Sequence, residues 1–262
     1  MSLIAGHDKC SANVFTMILS GNFIIYFSES YSLLKTRTLI LLFLVFLPAK
    51  VGAASLEPKL DPIALYGNEI MFDVERSGQT VGHHKTEFAV KNGILLVSNT
   101  LSIEIKIIFI NAFRFLYNSH AAWARGKLQE LTVTVDDNGS NFLLNANRDA
   151  DGLKIESANG SFRISEIVFP TNHWNAKVLG QSKVLNTLTG RINQVRIDTV
   201  GKEPIMTERG KVMATKYLFS GELENTVWYD GAGRWVKMKF EGRDGIPITY
   251  NCRRCQGGAF WP

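Results

Sequence analysis

The sequence predicts an all-β protein: a strongly curved antiparallel sheet or half-closed barrel, with one short helix after a proline-containing loop. Three observations predict it. Turn signals rich in Gly and Asn recur from "RSGQ" at 76–79 to "RDG" at 243–245, where hairpins need positive φ. The segments between them alternate apolar with polar residues, so each carries one apolar face. No long helical pattern separates those segments, which excludes a parallel sheet built from strand–helix–strand units.

The front of the chain stands apart from this pattern. Lys35 and Arg37 precede an unbroken apolar run, Leu39–Leu47; Pro48 ends it, and the small residues of "AKVGAAS" follow. A basic region, a short apolar run and a small-residue site make a secretory signal. The run is too short to span a bilayer, which takes ~20 residues. Cleavage is expected after Ala54 or Ala53. Residues 1–34 read either as lying upstream of the true start or as a long leader with a second interfacial segment. The expected organisation is a signal region over 1–54 (the signal peptide itself at 35–54), one all-β domain over 55–251, and a short tail over 252–262. Such a chain belongs in the periplasm or cell envelope of a bacterium.

Removing residues 1–54 takes four basic and two acidic side chains from a chain of net charge +5, leaving +3. The remaining charges alternate in sign. Without a basic run to follow phosphates, no nucleic-acid partner is expected.

The strands follow in order. "FDVERSGQTVGHHKTEF" at 72–88 reads as a hairpin. His83 and His84 are neighbours on its second strand and point to opposite faces, so they cannot share a metal without a bulge. The stretch 101–118 is continuously apolar at its centre. It is one strand buried on both faces, or two strands joined near Asn111–Ala112. In "LQELTVTVDD", Leu131, Val133 and Val135 line one face. The stretch "VFPTNHWNAKVLG" at 168–180 then breaks the alternation. Asn172 can cap a helix over His173–Leu179, and Gly180 can close it. Beyond it, Ile192, Val195 and Ile197 interleave with polar residues. Val236, Met238 and Phe240 share a face that Trp235 does not keep in phase with.

Several of these stretches form a recognisable set. "HWNAKVLGQSKVLNTLTGRI" at 173–192, "VGKEPI" at 200–205, "KYLFSGEL" at 216–223 and "VWYDGAGRWVKMKFEGRDGIPITY" at 227–250 stand in this order. With the hairpins at 72–88 and 121–139, they resemble domain-of-unknown-function family 6134, a set of secreted bacterial proteins. That family is similar to a larger envelope family, domain of unknown function 3108, which implies a strongly curved antiparallel sheet. Neither resemblance implies a reaction. One feature departs from the pattern: the ending "NCRRCQGGAFWP" looks like an addition beyond the final strand.

The candidate chemistry is sparse. His173 has no GxSxG elbow and no cysteine nucleophile to serve. It reads as the anchor of a loop that crosses one mouth of the sheet, with Trp174 as its apolar plug. The mature histidines show no metal-ligand spacing, so no metal and no cofactor are expected. Cys252 and Cys255 form a CxxC pair without the histidine that haem attachment needs; a short-loop disulfide is expected. Turn chemistry accounts for the acids at 136–137, 230 and 244.

The leading expectation is a non-enzymatic envelope protein that holds an apolar small molecule, such as a lipid or acyl chain, in the concave face. Its lining would include His84, His173, Trp174, Trp123 and Trp228. The alternatives are an envelope scaffold with a filled core, meeting another envelope protein, and an enzyme with a site built from His173 and His84. A continuous apolar void would favour the carrier, and a packed interior the scaffold.

Overall fold

The computed structural model of the chain describes residues 61–107 and 110–257, with side chains at 106–112 excepted. The expected signal region and its cleavage site lie outside the described residues. Eight strands follow one another first: β1 (Glu69–Arg76), β2 (Gln79–Lys91), β3 (Ile94–Ile107), β4 (Ile110–Ala124), β5 (Lys127–Asp137), β6 (Ser140–Asp149), β7 (Gly152–Ser157) and β8 (Gly160–Ile164). Seven complete the set: β9 (Phe169–Pro170), β10 (Lys183–Leu185), β11 (Ile192–Thr207), β12 (Gly210–Gly221), β13 (Asn225–Asp230), β14 (Trp235–Glu241) and β15 (Pro247–Arg254). All 15 belong to one sheet in the order β8-β7-β6-β5-β4-β3-β2-β1-β15-β14-β13-β12-β11-β10-β9. Each half is thus a meander, and the first and last strands, β1 and β15, join the halves side by side. Among the described strands, only β9 and β10 pair in parallel. The curved antiparallel fold read from the sequence is the fold observed.

Local turn chemistry makes the meander. The pairs Ser77–Gly78, Asn92–Gly93, Arg125–Gly126 and Asn138–Gly139 all have positive φ at both residues. Two such residues give the turn whose twist matches that of the flanking strands. The continuously apolar stretch at 101–118 is two strands. Leu101 pairs with Tyr117 and Ile103 with Phe115, and the pairing closes at Ile107 and Ile110 rather than near Asn111–Ala112.

The inner face is built by alternation. Leu131, Val133 and Val135 are buried as a set. They face inward with Val97, Leu101, Phe88 and Trp123, all part of one core. Polar residues interrupt this face in one satisfied ladder: Thr86 Oγ1 donates to Asn99 Oδ1 at 2.7 Å, and Asn99 Nδ2 to Ser119 Oγ at 2.9 Å. Buried polar groups are tolerated when so paired.

Three local expectations need correction. Trp235 is as buried as Val236. The register shifts between Trp228 and Tyr229, so that Trp228 faces Lys237 and Tyr229 faces Trp235. A bulge of this kind re-aims a side chain, and here it turns the indole into the core. The helix expected over His173–Leu179 is a 3-10 helix at Ala176–Gly180, capped by Asn175 and not by Asn172. A second short helix, α1 (Pro62–Tyr66), begins at Asp61, whose carboxylate accepts from the backbone N–H groups of Ile63 and Ala64. The tail expected from residue 252 is not separate from the sheet: β15 continues through Arg254, with Cys252 beside Phe72. Cys255 is fully buried. A Cβ on Gly257 would collide with the backbone of Tyr66, so the backbone at Gly257 lies close against the end of α1.

Candidate functional site

The loop between β9 and β10 leaves the sheet and turns the buried side chains of His173 and Trp174 toward the core. Its docking starts from backbone geometry. His173 has φ 50°, an unusual value for a residue with a Cβ. The Trp174 N–H closes a tight turn onto the Asn172 carbonyl at 2.6 Å. This reversal sends both rings inward, and each side chain is buried.

Three tyrosines from three separate elements hold the reversal. Tyr117 of β4 donates its hydroxyl to Asn172 Oδ1 at 3.2 Å. Tyr229 of β13 donates to the His173 carbonyl at 2.7 Å. Tyr66 of α1 donates to the Trp174 carbonyl at 3.0 Å and accepts from the Trp235 N–H at 2.9 Å. Burial raises all three phenols above their ordinary value, so they remain donors. These hydroxyls could not be foreseen from spacing, because all three tyrosines lie far along the chain from the loop they grip; the loop and its indole were foreseeable from the residues themselves.

 The separations along the chain are 55, 56 and 108 residues.

The indole of Trp174 is buried on the inner face. It meets Trp123 edge-on at 5.5 Å and Phe88 at 5.5 Å, and Trp123 in turn meets Phe169 at 5.9 Å. Beside this aromatic group lies a second one around Trp235. The His84 ring, from β2, sits 5.5 Å from that indole, and the His173 ring, from the loop after β9, 5.7 Å from it. Phe72, Tyr250 and Phe219 enclose the pair.

The two histidines are neutral. Burial pushes His84 down to about 3, and the nearby His173 adds to the shift. Burial alone pushes His173 down to about 4. His173 Nε2 lies 3.3 Å from Asn225 Nδ2. Nδ1 of His84, Nδ1 of His173 and Oδ1 of Asn225 are buried without a hydrogen-bond partner. Among the described residues, no carboxylate hydrogen-bonds to either ring, so neither has the orienting acid that a histidine base uses.

Four of the five residues assigned to the lining from sequence therefore come together: His84, His173, Trp174 and Trp123. Trp228 does not. It lies across from Lys216 and Lys237, whose ammonium groups sit 5.5 and 5.2 Å from its ring, and its Nε1 donates to Glu203. Its neighbour Tyr229 points inward, so alternation sends Trp228 to the other face. His83 and His84 also divide between faces, with His83 exposed and 3.0 Å from Asp73. The aromatic Trp235 and the polar Asn225 were missed. Trp235 is out of phase with its strand in sequence, and nothing local marks Asn225 as facing a histidine.

Two depressions of about 520 and 560 Å³ are open to solvent. The first is lined by Ile63, Phe88 and Leu96 among others, the second by Arg125, Arg148 and Asp149 among others. Neither is lined by Trp174, His84 or His173.

Comparison with known proteins agrees with the fold. The family described as Domain of unknown function (DUF6134) matches residues 72–253. The crystal structure of a beta-barrel-like protein of domain of unknown function DUF1849 from Brucella abortus is similar, with a TM-score of 0.52 and 6% identity; the likeness covers 73% of this chain and 97% of that one. At that identity it speaks for the fold alone. No curated protein matches the chain.

Proposed function

The chain belongs to the family of unknown function DUF6134, and from that premise we propose that it is an exported envelope protein whose curved sheet is filled by its own lid and which acts as a scaffold or interaction module. Export rests on the basic residues, apolar run and small-residue site at 35–54. The filled interior rests on one observation: Trp174 is buried on the inner face in contact with Trp123 and Phe88, while three buried tyrosines hold the turn beside it, two at backbone carbonyls and one at the Asn172 side chain. A carrier whose lid opens freely would not fasten that lid with hydrogen bonds from three buried tyrosines.

A second reading has its own observation. The rings of His84 and His173, each with an unpartnered nitrogen, flank Trp235, and Asn225 beside His173 has an unpartnered oxygen; buried polar atoms ordinarily find partners. An apolar ligand with a polar end, such as an acyl chain ending in a carboxyl or hydroxyl group, would supply one if the lid were displaced. Native mass spectrometry of protein purified from its own cell envelope, followed by organic extraction, separates the two. The scaffold reading expects the bare chain mass. A stoichiometric co-purified lipid would replace it with the carrier reading.

A further inference from the structure

The end of β15 carries a feature that neither reading uses. Cys252 and Cys255 are joined in a disulfide. Cys255 is fully buried, while Cys252 is partly exposed. Glu208, from the tight turn between β11 and β12, is aimed at both. Its Oε1 accepts from the backbone N–H groups of Cys255 at 3.0 Å and Gln256 at 2.8 Å. Its Oε2 lies 3.0 Å from Cys252 Sγ and 3.7 Å from Cys255 Sγ. In the disulfide neither sulfur has a proton to donate, so these two are contacts without a hydrogen bond. They become hydrogen bonds only when the pair is reduced.

We propose that this pair is a thiol–disulfide exchange site, with Glu208 as the group that accepts the thiol proton. The division of exposure assigns the roles. A thiolate of an incoming dithiol attacks Cys252 Sγ, the reachable sulfur. The Cys252–Cys255 bond breaks, a mixed disulfide forms on Cys252, and Cys255 leaves as a thiolate. Cys255 then takes up a proton, and its S–H donates to Glu208 Oε2. The second thiolate of the incoming dithiol attacks its own sulfur in the mixed disulfide, closes the substrate disulfide and expels Cys252, which is protonated in turn. The substrate dithiol loses two electrons and two protons, and the protein pair gains them. In reverse, the reduced pair acts on a substrate disulfide, and Glu208 draws the proton from Cys255 before it attacks Cys252.

A purely structural bridge explains less. A disulfide stabilises mainly by closing a loop in the unfolded chain, and this one spans only three positions. Nor does such a bridge need a carboxylate fixed against both sulfurs. The other charged groups nearby are already engaged: Arg253 faces Asp73, Arg254 pairs with Glu69, and Arg234 binds Asp230 and the Gln256 carbonyl. Arg209 adjoins Glu208 in the turn. The inference stands apart from the filled-core reading, since the sulfurs take no part in the lid.

The test uses the full folded protein in glutathione redox buffers, with thiols trapped by alkylation and counted by mass. The pair is expected to equilibrate without loss of the β-sheet circular dichroism signal. Cys255→Ser is expected to capture one glutathione on Cys252. A neighbouring negative charge disfavours the thiolate, so Glu208→Gln is expected to move the pH profile of alkylation of the reduced pair downward by roughly one unit or more. A pair that stays oxidised until the protein unfolds would overturn the proposal, as would a pH profile that Glu208→Gln leaves in place. Tight capture of one zinc ion per reduced chain, with loss of thiol reactivity, would also overturn it and make the cluster a metal site.

Discussion

The Tyr229 hydroxyl donates to the backbone carbonyl of His173 at 2.7 Å. A strand near the end of the chain thereby fixes a residue whose φ of 50° would otherwise be strained. Strained backbone persists where its surroundings over-determine it. Here the surroundings include Tyr66 and Tyr117, which bond the residues on either side of His173. The imidazole is thus carried into the core by its backbone, beside Trp235.

Loss of these hydroxyls should therefore be felt in stability. Tyr229→Phe leaves one buried carbonyl unpaired and is expected to cost about 1–3 kcal/mol. Tyr66→Phe strands both the Trp174 carbonyl and the Trp235 N–H, so it is expected to cost more than Tyr229→Phe. Urea melts of the two variants check the order.

Trp174→Ala is expected to cost ~3–5 kcal/mol, the usual range for deleting a buried tryptophan side chain. His173→Ala is expected to cost less, about 1–3 kcal/mol, because a smaller ring is lost. This exceeds the cost of an ordinary surface change, since the ring is buried. Equilibrium denaturation at equal slope gives the comparison.

The two histidines set an acid limit. Both have folded values well below the ordinary 6.5, at about 3 for His84 and about 4 for His173. The unfolded chain takes up protons there while the folded chain does not, so stability rises with pH across that interval. Their contribution is complete above about pH 6.5 and is lost as pH falls toward 4 and then 3. His84→Phe removes one of the two titrating rings. It is expected to flatten the fall in stability between pH 6.5 and 5, above the range where most carboxylates titrate, as measured by denaturant melts at each pH.

Reduction of the disulfide should leave the fold in place. Cys252 lies within β15 and pairs beside Phe72 through the backbone ladder, which does not depend on the sulfurs. The double change Cys252→Ser and Cys255→Ser is expected to lower the melting temperature by only a few degrees, because so short a loop contributes little entropy. Calorimetry of the variant measures this.

What was legible in the sequence was what local chemistry decides. Asn92–Gly93 and Asn138–Gly139 declare their hairpins, and the spacing of Leu131, Val133 and Val135 declares its inner face. The proline and tryptophan at 170 and 174 mark a loop that must dock. Other features depend on distant partners. Trp228 and Trp235 are equally aromatic, and only the bulge between β13 and β14 sends one inward while the other meets Lys216 and Lys237. Asn175 caps the 3-10 helix, while the Asn172 side chain accepts from the distant Tyr117. Glu208 lies 44 residues from Cys252, so the sequence held the CxxC pair but not the carboxylate that faces it.

Hydrogen exchange in the lid tests the filled interior most directly. The Val178 N–H bonds to the Asn175 carbonyl, and the Gln181 N–H to the Val178 carbonyl, so both amides report opening of this segment. If the lid is part of the core, they exchange only with the slow global opening shared by the central strands β1 and β15, and adding a long-chain fatty acid leaves their rates unchanged. Fast exchange confined to 172–181, or a rate that changes when the fatty acid is added, would contradict a lid that is built in and would favour one that opens to a ligand.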